Sequence, residues 1–189
     1  IKSKGADSVH SPFVYNIYFN VIKGKKSKEK FKNIELLRTK LLKNRRKITI
    51  EDYGAGSIYK TKKIERQINK VVATSSMKTK YCNLLASLTE YSKPENIIEL
   101  GTSLGFSTMY MAAQCPNAKI FTIEGSKEIY NLACQNFKEQ QFNNIYAIND
   151  IFDNALEKVL KQVKKVDFVL LDGNHKKIAT LNYFEKCLP

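Results

Sequence analysis

One stretch decides most of what this chain can become: residues 97–107, Ile-Ile-Glu-Leu-Gly-Thr-Ser-Leu-Gly-Phe-Ser. A short apolar run ends in an acid, passes through a turn punctuated by two glycines, and enters a helical pattern at 107–113. That order reads strand, tight loop, helix. Glycine lacks Cβ, so it accepts positive φ and lets a ligand come close to the backbone. The helix start behind the loop presents unpaired N–H groups and the positive end of the helix dipole, which suits a carboxylate or phosphate. A glycine loop by itself is a weak signal. It gains weight from the next expected strand, Ile-Phe-Thr-Ile-Glu (120–124), whose terminal acid Glu124 follows Gly101 by 23 positions. A nucleotide-binding βαβ unit sets its ribose-binding acid at an offset of roughly 20 residues.

From there the pattern alternates. Strands are expected at 97–100, 119–123, 145–148 and 167–171, and helices at 107–114, 127–140, 153–163 and 178–187. Alternation of this kind implies a parallel sheet with helices on both faces. The run Phe168-Val-Leu-Leu171 is continuously apolar, as a strand buried on both faces should be. Ligands of open parallel sheets bind beyond the C-terminal ends of the strands. The site candidates are therefore Glu99 with residues 101–105, then Glu124-Gly125-Ser126, Asn149-Asp150-Ile151 and Asp172-Gly-Asn-His175. Acids recur on these ends, where like charges repel, and a purely structural sheet has no use for that.

The first part of the chain reads differently. Ser11-Pro12 opens a helix with Phe13, Ile17 and Val21 at helical spacing, Tyr18 and Ile22 extending the face. A second amphipathic helix runs from Phe31 through Ile34, Leu37, Leu41 and Leu42 to the basic run Lys43-Asn-Arg-Arg-Lys47. A third suits 75–92, with Tyr81, Leu84, Leu85 and Leu88 on one face. The stripes suit a substrate lid or, the reading favoured here, packing against the main domain or a second copy of the chain in a homodimer. Residues 52–57, Asp-Tyr-Gly-Ala-Gly-Ser, imitate a second glycine loop, but no acid-ended strand follows at the right distance. They read as a structural turn or a loop that moves over the site. The expected organisation is a basic, mainly helical region over 1–74 and a ligand-binding α/β domain over 75–189.

Charge divides along the same line. Residues 1–94 carry 22 Lys and Arg against 7 Asp and Glu, while residues 95–189 carry 10 against 11. The basic half could face nucleic acid or another anionic partner. With no nucleic-acid-binding motif beside it, the favoured reading is a lysine-rich appendage kept in solution. No apolar run reaches the roughly 18 residues of a membrane span. Four cysteines without C-x-x-C spacing suit reduced thiols and a cytoplasmic setting better than zinc or disulfides. The chain opens on Ile1 and stops at Pro189, where an α/β domain of this kind would begin another strand. A processed or shortened chain lacking its C-terminal strands is expected.

Glu-Leu-Gly-Thr-Ser-Leu-Gly-Phe-Ser (99–107), Thr-Ile-Glu (122–124), Asn-Asp (149–150) and Leu-Leu-Asp-Gly-Asn-His (170–175) resemble the successive motifs of class I S-adenosylmethionine-dependent methyltransferases. The branch most resembled is the catechol O-methyltransferase-like one, over about 75–189, and His10-Ser-Pro-Phe-Val14 is similar to the opening of bacterial methyltransferases of this type. The resemblance implies a Rossmann-like sheet and a role for each motif residue. Gly101, Thr102, Ser103 and Gly105 would line the methionine end of the cofactor, Glu99 would support that turn, and Ser107 would bind the methionine carboxylate. Glu124, beside Gly125, would accept both ribose hydroxyls, a task suited to two acceptor oxygens. Asp150 and Ile151 would border the adenine, and Asp172 would stand beside the sulfonium. The glycine spacing agrees: Gly101-x-x-x-Gly105 differs from the G-x-G-x-x-G of dinucleotide folds.

Enzymes of the catechol type hold a divalent cation such as Mg²⁺ through an acid at the place of Asp172, with further oxygen ligands after the next strand. Their general base is a lysine three positions on; here that position is His175, followed by Lys176 and Lys177, and imidazole is a sound base near neutral pH. The leading expectation is O-methyl transfer to a small molecule. Its rivals are a nucleic-acid methyltransferase docking RNA on the basic half, although no Asn-Pro-Pro-Tyr type motif is present, and a non-catalytic binding or assembly module.

Overall fold

The computed structural model describes residues 11–24, 29–52 and 62–188. Four parallel strands form its centre: β3 (Asn96–Leu100), β4 (Lys119–Ile123), β5 (Ile145–Ile148) and β6 (Phe168–Leu171), in the order β5-β4-β3-β6. Each is followed by a helix: α5 (Phe106–Gln114), α6 (Lys127–Glu139), α7 (Phe152–Gln162) and α8 (Lys177–Cys187). This is the Rossmann-like sheet with helices on both faces that the alternating pattern predicts. The chain steps outward from β3 to β4 to β5, then returns to place β6 on the other side of β3. That reversal opens a crevice above β3, between the loops that leave β3 and β6.

The two faces are filled by different residues. Ile98, Leu100, Phe121 and Ile123 point toward α7 and α8, where Ala155, Leu156, Val159 and Tyr183 close the layer. Ile97 and Ile120 point the other way, toward Met111 and Ala112 of α5 and Leu85 of α4 (Thr79–Ser92). Alternation along each strand thus feeds two cores.

The N-terminal residues add to the second face. After a 3₁₀ turn (Glu29–Phe31), helix α2 (Lys32–Leu42) buries Ile34, Leu37 and Leu41 in one cluster with Phe106, Met109 and Tyr110 of α5 and Ile129, Leu132, Ala133 and Phe137 of α6. Strands β1 (Lys47–Asp52) and β2 (Lys62–Gln67) form a separate antiparallel pair, and α3 (Ile68–Thr74) leads from it to α4. Residues 53–61, which include most of the second glycine-rich stretch, lie outside the described residues.

Two helical faces differ from the sequence expectation. Helix α1 (Pro12–Ile17) starts at Ser11 as expected, then widens into a π turn (Tyr18–Ile22) closed by Lys23 N–H on the Tyr18 carbonyl, 2.9 Å. The wider turn shifts the helical phase. Val21 is buried, while Phe13 and Ile22 are more than half exposed. Along α4 the buried face is Cys82, Leu85, Ala86 and Thr89, and Tyr81 is exposed. Small side chains win that face because α4 lies directly against α5.

Leu156 is fully buried between α7 and the sheet, away from the strand ends. Leu156→Ala should lower unfolding stability by about 3 kcal/mol in urea titrations, the typical cost of a core leucine truncation.

Candidate active site

The C-terminal ends of the four strands are laced together by main-chain hydrogen bonds. Asp172 N–H donates to the Leu100 carbonyl (2.9 Å), Gly101 and Thr102 N–H to the Ile123 carbonyl (3.0 and 3.2 Å), and Glu124 N–H to the Ile148 carbonyl (3.0 Å). The four motif loops therefore converge on one edge of the sheet.

Glu99 sits beneath the first loop and is completely buried. Its carboxylate accepts three hydroxyl donors: Ser107 on one oxygen (2.5 Å), Thr108 and Thr122 on the other (2.5 and 2.6 Å). Thr122 spends its proton on Glu99, so at its 2.6 Å contact with Thr102 the Thr102 hydroxyl is the donor. A single carboxylate thereby ties together the end of β3, the first turn of α5, strand β4 and the turn itself. Burial pushes its pKa up to about 7, against the pull of the three hydroxyls, with Asp172 adding a smaller upward push.

Residues 101–105 turn their side chains inward. Thr102 and Leu104 are buried, the first toward Thr122 and the second in the core with α2 and α6. The more exposed surface of the turn is left to Gly101 and Ser103. Gly101 and Gly105 both hold positive φ, 105° and 82°. Their crowding comes from the protein's own atoms. A Cβ on Gly101 would lie 2.6 Å from the Asp172 carbonyl oxygen, and one on Gly105 would enter the Phe137 ring. Close internal packing, more than ligand approach, requires glycine at both. Gly105 also caps α5, and Met109 N–H is bonded to its carbonyl (2.9 Å). The amides of Phe106, Ser107 and Thr108 thus lie in the first turn, ahead of any intrahelical acceptor.

Glu124 faces this turn. One carboxylate oxygen accepts Ser103 N–H (2.9 Å) and the other Ser126 N–H (3.0 Å). Burial raises its pKa, opposed by these backbone donors. Gly125 N–H is a third backbone donor to this carboxylate, and part of its acceptor capacity is left for a ligand. Ser126 in turn accepts from Glu51 N–H of β1 (3.2 Å), and Glu128 accepts from Thr49 N–H (3.1 Å), so the N-terminal hairpin is docked on the start of α6 beside Glu124.

The remaining candidates are placed as follows. The Asp150 carboxylate caps Ile151 N–H (2.8 Å) and pairs with Lys158 (2.8 Å), which holds its pKa below the ordinary carboxylate value. Asp172 and His175 are exposed on the loop after β6; loss of hydration raises the Asp172 carboxyl and His175 draws it back. Gly125 offers its carbonyl to Asn149. The Ser107 hydroxyl is committed to Glu99, so its backbone N–H is what it offers a ligand. Among the described residues no group of three His, Cys, Asp or Glu could hold a metal ion. Asp172 stands as a single hard ligand.

Two side chains do what the motifs leave unstated. The Asn149 amide donates to the Glu124 and Gly125 carbonyls (2.8 and 3.0 Å), joining the ends of β4 and β5. Asn136, buried in α6, donates to the Leu104 carbonyl (2.9 Å) and steadies the turn from behind. Asn136 carried a signal. It falls on the apolar stripe Ile129, Leu132, Ala133, Phe137, where a polar side chain needs a buried partner. Elsewhere, Lys47, Arg66 and Lys70 help line a surface cavity of about 680 Å³ on the hairpin and α3. No helix among the described residues is long and apolar enough to cross a membrane.

A family model described as O-methyltransferase matches residues 56–189. Among solved structures, an O-methyltransferase from Bacillus cereus in complex with SAH is 21% identical, with a TM-score of 0.56 over 60% of this chain and 52% of that one. The O-methyltransferase TomG from Streptomyces achromogenes in complex with SAM is 19% identical, with a TM-score of 0.56 over 60% of this chain and 53% of that one. Cofactor-bound Rv0187 from MTB is 15% identical, with a TM-score of 0.57 over 93% of this chain and 66% of that one. At such identities the likeness is one of fold. The chain spans about half the length of the first two.

Two outcomes test the site's framework. Gly105→Ala should cost more than about 1 kcal/mol of stability in denaturant titrations, since it adds a strained φ to a clash with Phe137. Glu99 holds its proton more tightly folded than unfolded, so its contribution is full below the unfolded value near 4.5 and is lost as pH rises through about 7. Between pH 5.5 and 8 the wild type should lose about 2 kcal/mol more than Glu99→Gln, read from urea curves at both pH values.

Proposed function

Because the chain belongs to the O-methyltransferase family, we propose that it transfers a methyl group from S-adenosylmethionine to an oxygen of a small molecule. The observation that carries this reading is the bond from Ser103 N–H to Glu124, which sets a carboxylate with spare acceptor positions against the glycine turn. A nucleoside that donates two sugar hydroxyls and extends an amino-acid tail fits that pairing. The structures of family-named proteins bound to SAH or SAM support it.

In this reading Glu124 takes the ribose hydroxyls. The amides at the start of α5, held at their angle by Glu99, meet the methionine carboxylate, and Gly101, Thr102, Ser103 and Gly105 lie along the tail. Gly125, Asp150 and Ile151 border the base, with Asp150 kept ionised by Lys158. Bound S-adenosylmethionine supplies a methyl carbon attached to a positively charged sulfur. The protein's contribution is mainly to position an acceptor oxygen in line with that carbon. His175 takes the acceptor's proton, and Asp172 beside it stabilises the resulting imidazolium. A divalent cation is implied by the catechol-type resemblance, yet among the described residues Asp172 alone does not fit one.

A second reading, in which the acceptor belongs to RNA, draws on the cavity lined by Arg66, Lys70 and Lys47, the last paired with Glu65. Salt-sensitive retention of RNA on filters would support it. The main reading is tested by calorimetry with S-adenosylhomocysteine. The folded wild type should bind, and Glu124→Ala should bind at least tenfold more weakly. No heat at millimolar ligand from a folded sample would end the proposal.

A further inference from the structure

We infer that Arg38, on helix α2 of the N-terminal region, is a positioning residue for the cofactor-binding turn; this rests on the S-adenosylmethionine reading above. Arg38 is only 8% exposed, though it carries a full charge. Every side of its guanidinium is used. Nε donates to Glu35 (3.0 Å), one terminal nitrogen to the Met77 carbonyl (3.0 Å) and the other to the Cys82 sulfur (3.7 Å), while its flat face lies 3.9 Å from the centre of the Phe106 ring. Phe106 is the first residue of α5, directly after Gly105. One turn later the Tyr110 hydroxyl donates to Glu35 (2.8 Å), and Glu35 also accepts the Thr79 hydroxyl (2.8 Å). The N-terminal region thus grips α5 at two points on one side, Phe106 and Tyr110.

Glu99 grips the same helix at Ser107 and Thr108 from beneath the sheet edge. These two anchors hold the start of α5 from opposite sides. The direction of its first N–H groups, which face the ligand in the proposed reading, is set by both. A buried guanidinium is costly unless its donors are satisfied, and an apolar side chain would pack α2 as well. What an apolar side chain lacks is the fork that fixes a plane over Phe106. The role fits this arginine and fits neither Lys nor Met.

The test uses the full chain with Arg38→Met and Arg38→Lys. Binding of S-adenosylhomocysteine is measured by calorimetry, and backbone amide resonances of residues 103–108 are compared without ligand. Arg38→Met should weaken binding at least tenfold and move the Gly105 and Ser107 amides, with Arg38→Lys intermediate in both. Leu156→Ala, which lowers stability from the opposite face, should leave affinity within twofold and these amides in place. Unmoved amides in a folded Arg38→Met, or affinity within twofold of wild type, overturn the inference. If Arg38→Met does not fold, Arg38→Lys is judged by the same two measurements. A wild type that binds no S-adenosylhomocysteine ends the functional reading, and the amide comparison alone then decides the role of Arg38.

Discussion

Everything at the strand ends hangs on one buried carboxylate. Glu99 has no contact with water and is made tolerable by three hydroxyls drawn from two elements, with a fourth behind them. Remove this carboxyl and the hydroxyls lose their common focus. Remove any donor and a buried anion is left short of a partner, which is costly in a low-dielectric interior. The arrangement therefore locks the end of β3, the start of α5 and the middle of β4 as one body. The adjacent Glu124 builds on that body rather than on its own strand alone, because the backbone it accepts from, Ser103, belongs to the turn Glu99 supports.

The N-terminal residues are part of the same construction. Their helix α2 shares a core with α5 and α6, and their hairpin is bonded to the first residues of α6. Two of the loops around the crevice are thus backed by chain that precedes the βα units in sequence. Among the described residues of this region the buried cation is Arg38, enclosed by its hydrogen-bond acceptors and an aromatic ring.

The parallel sheet was legible because its evidence is local. Apolar runs of strand length alternate with amphipathic helices, and each expected strand from 97 to 171 agrees with the observed one to within one residue. The placement of Glu99, Glu124, Asp150 and Asp172 on one edge followed from topology. What sequence did not show was which polar groups spend their hydrogen bonds on one another. That the Ser107 hydroxyl is bonded to a buried Glu99 is one such case. Nothing in the sequence singles out Arg38 for burial, and Tyr81 reads as core, because neither periodicity nor composition states how near a neighbouring helix will pass. The π turn at Tyr18 also has no sign in the apolar spacing, and Phe13 and Ile22 are exposed while Val21 is buried.

The glycines of the turn lead to a broader point about reading such motifs. Gly101 is hemmed in by the backbone of Asp172, Gly105 by the ring of Phe137, and Gly173 by the ring of Phe152. Their absence of a side chain answers to the architecture and not to whatever molecule visits it. A side chain at any of the three would press on those neighbours whether or not a ligand were bound. Inheritance of the glycine signature consequently certifies ancestry of form, while the surviving evidence of a trade lies in the acid that holds lone pairs in reserve.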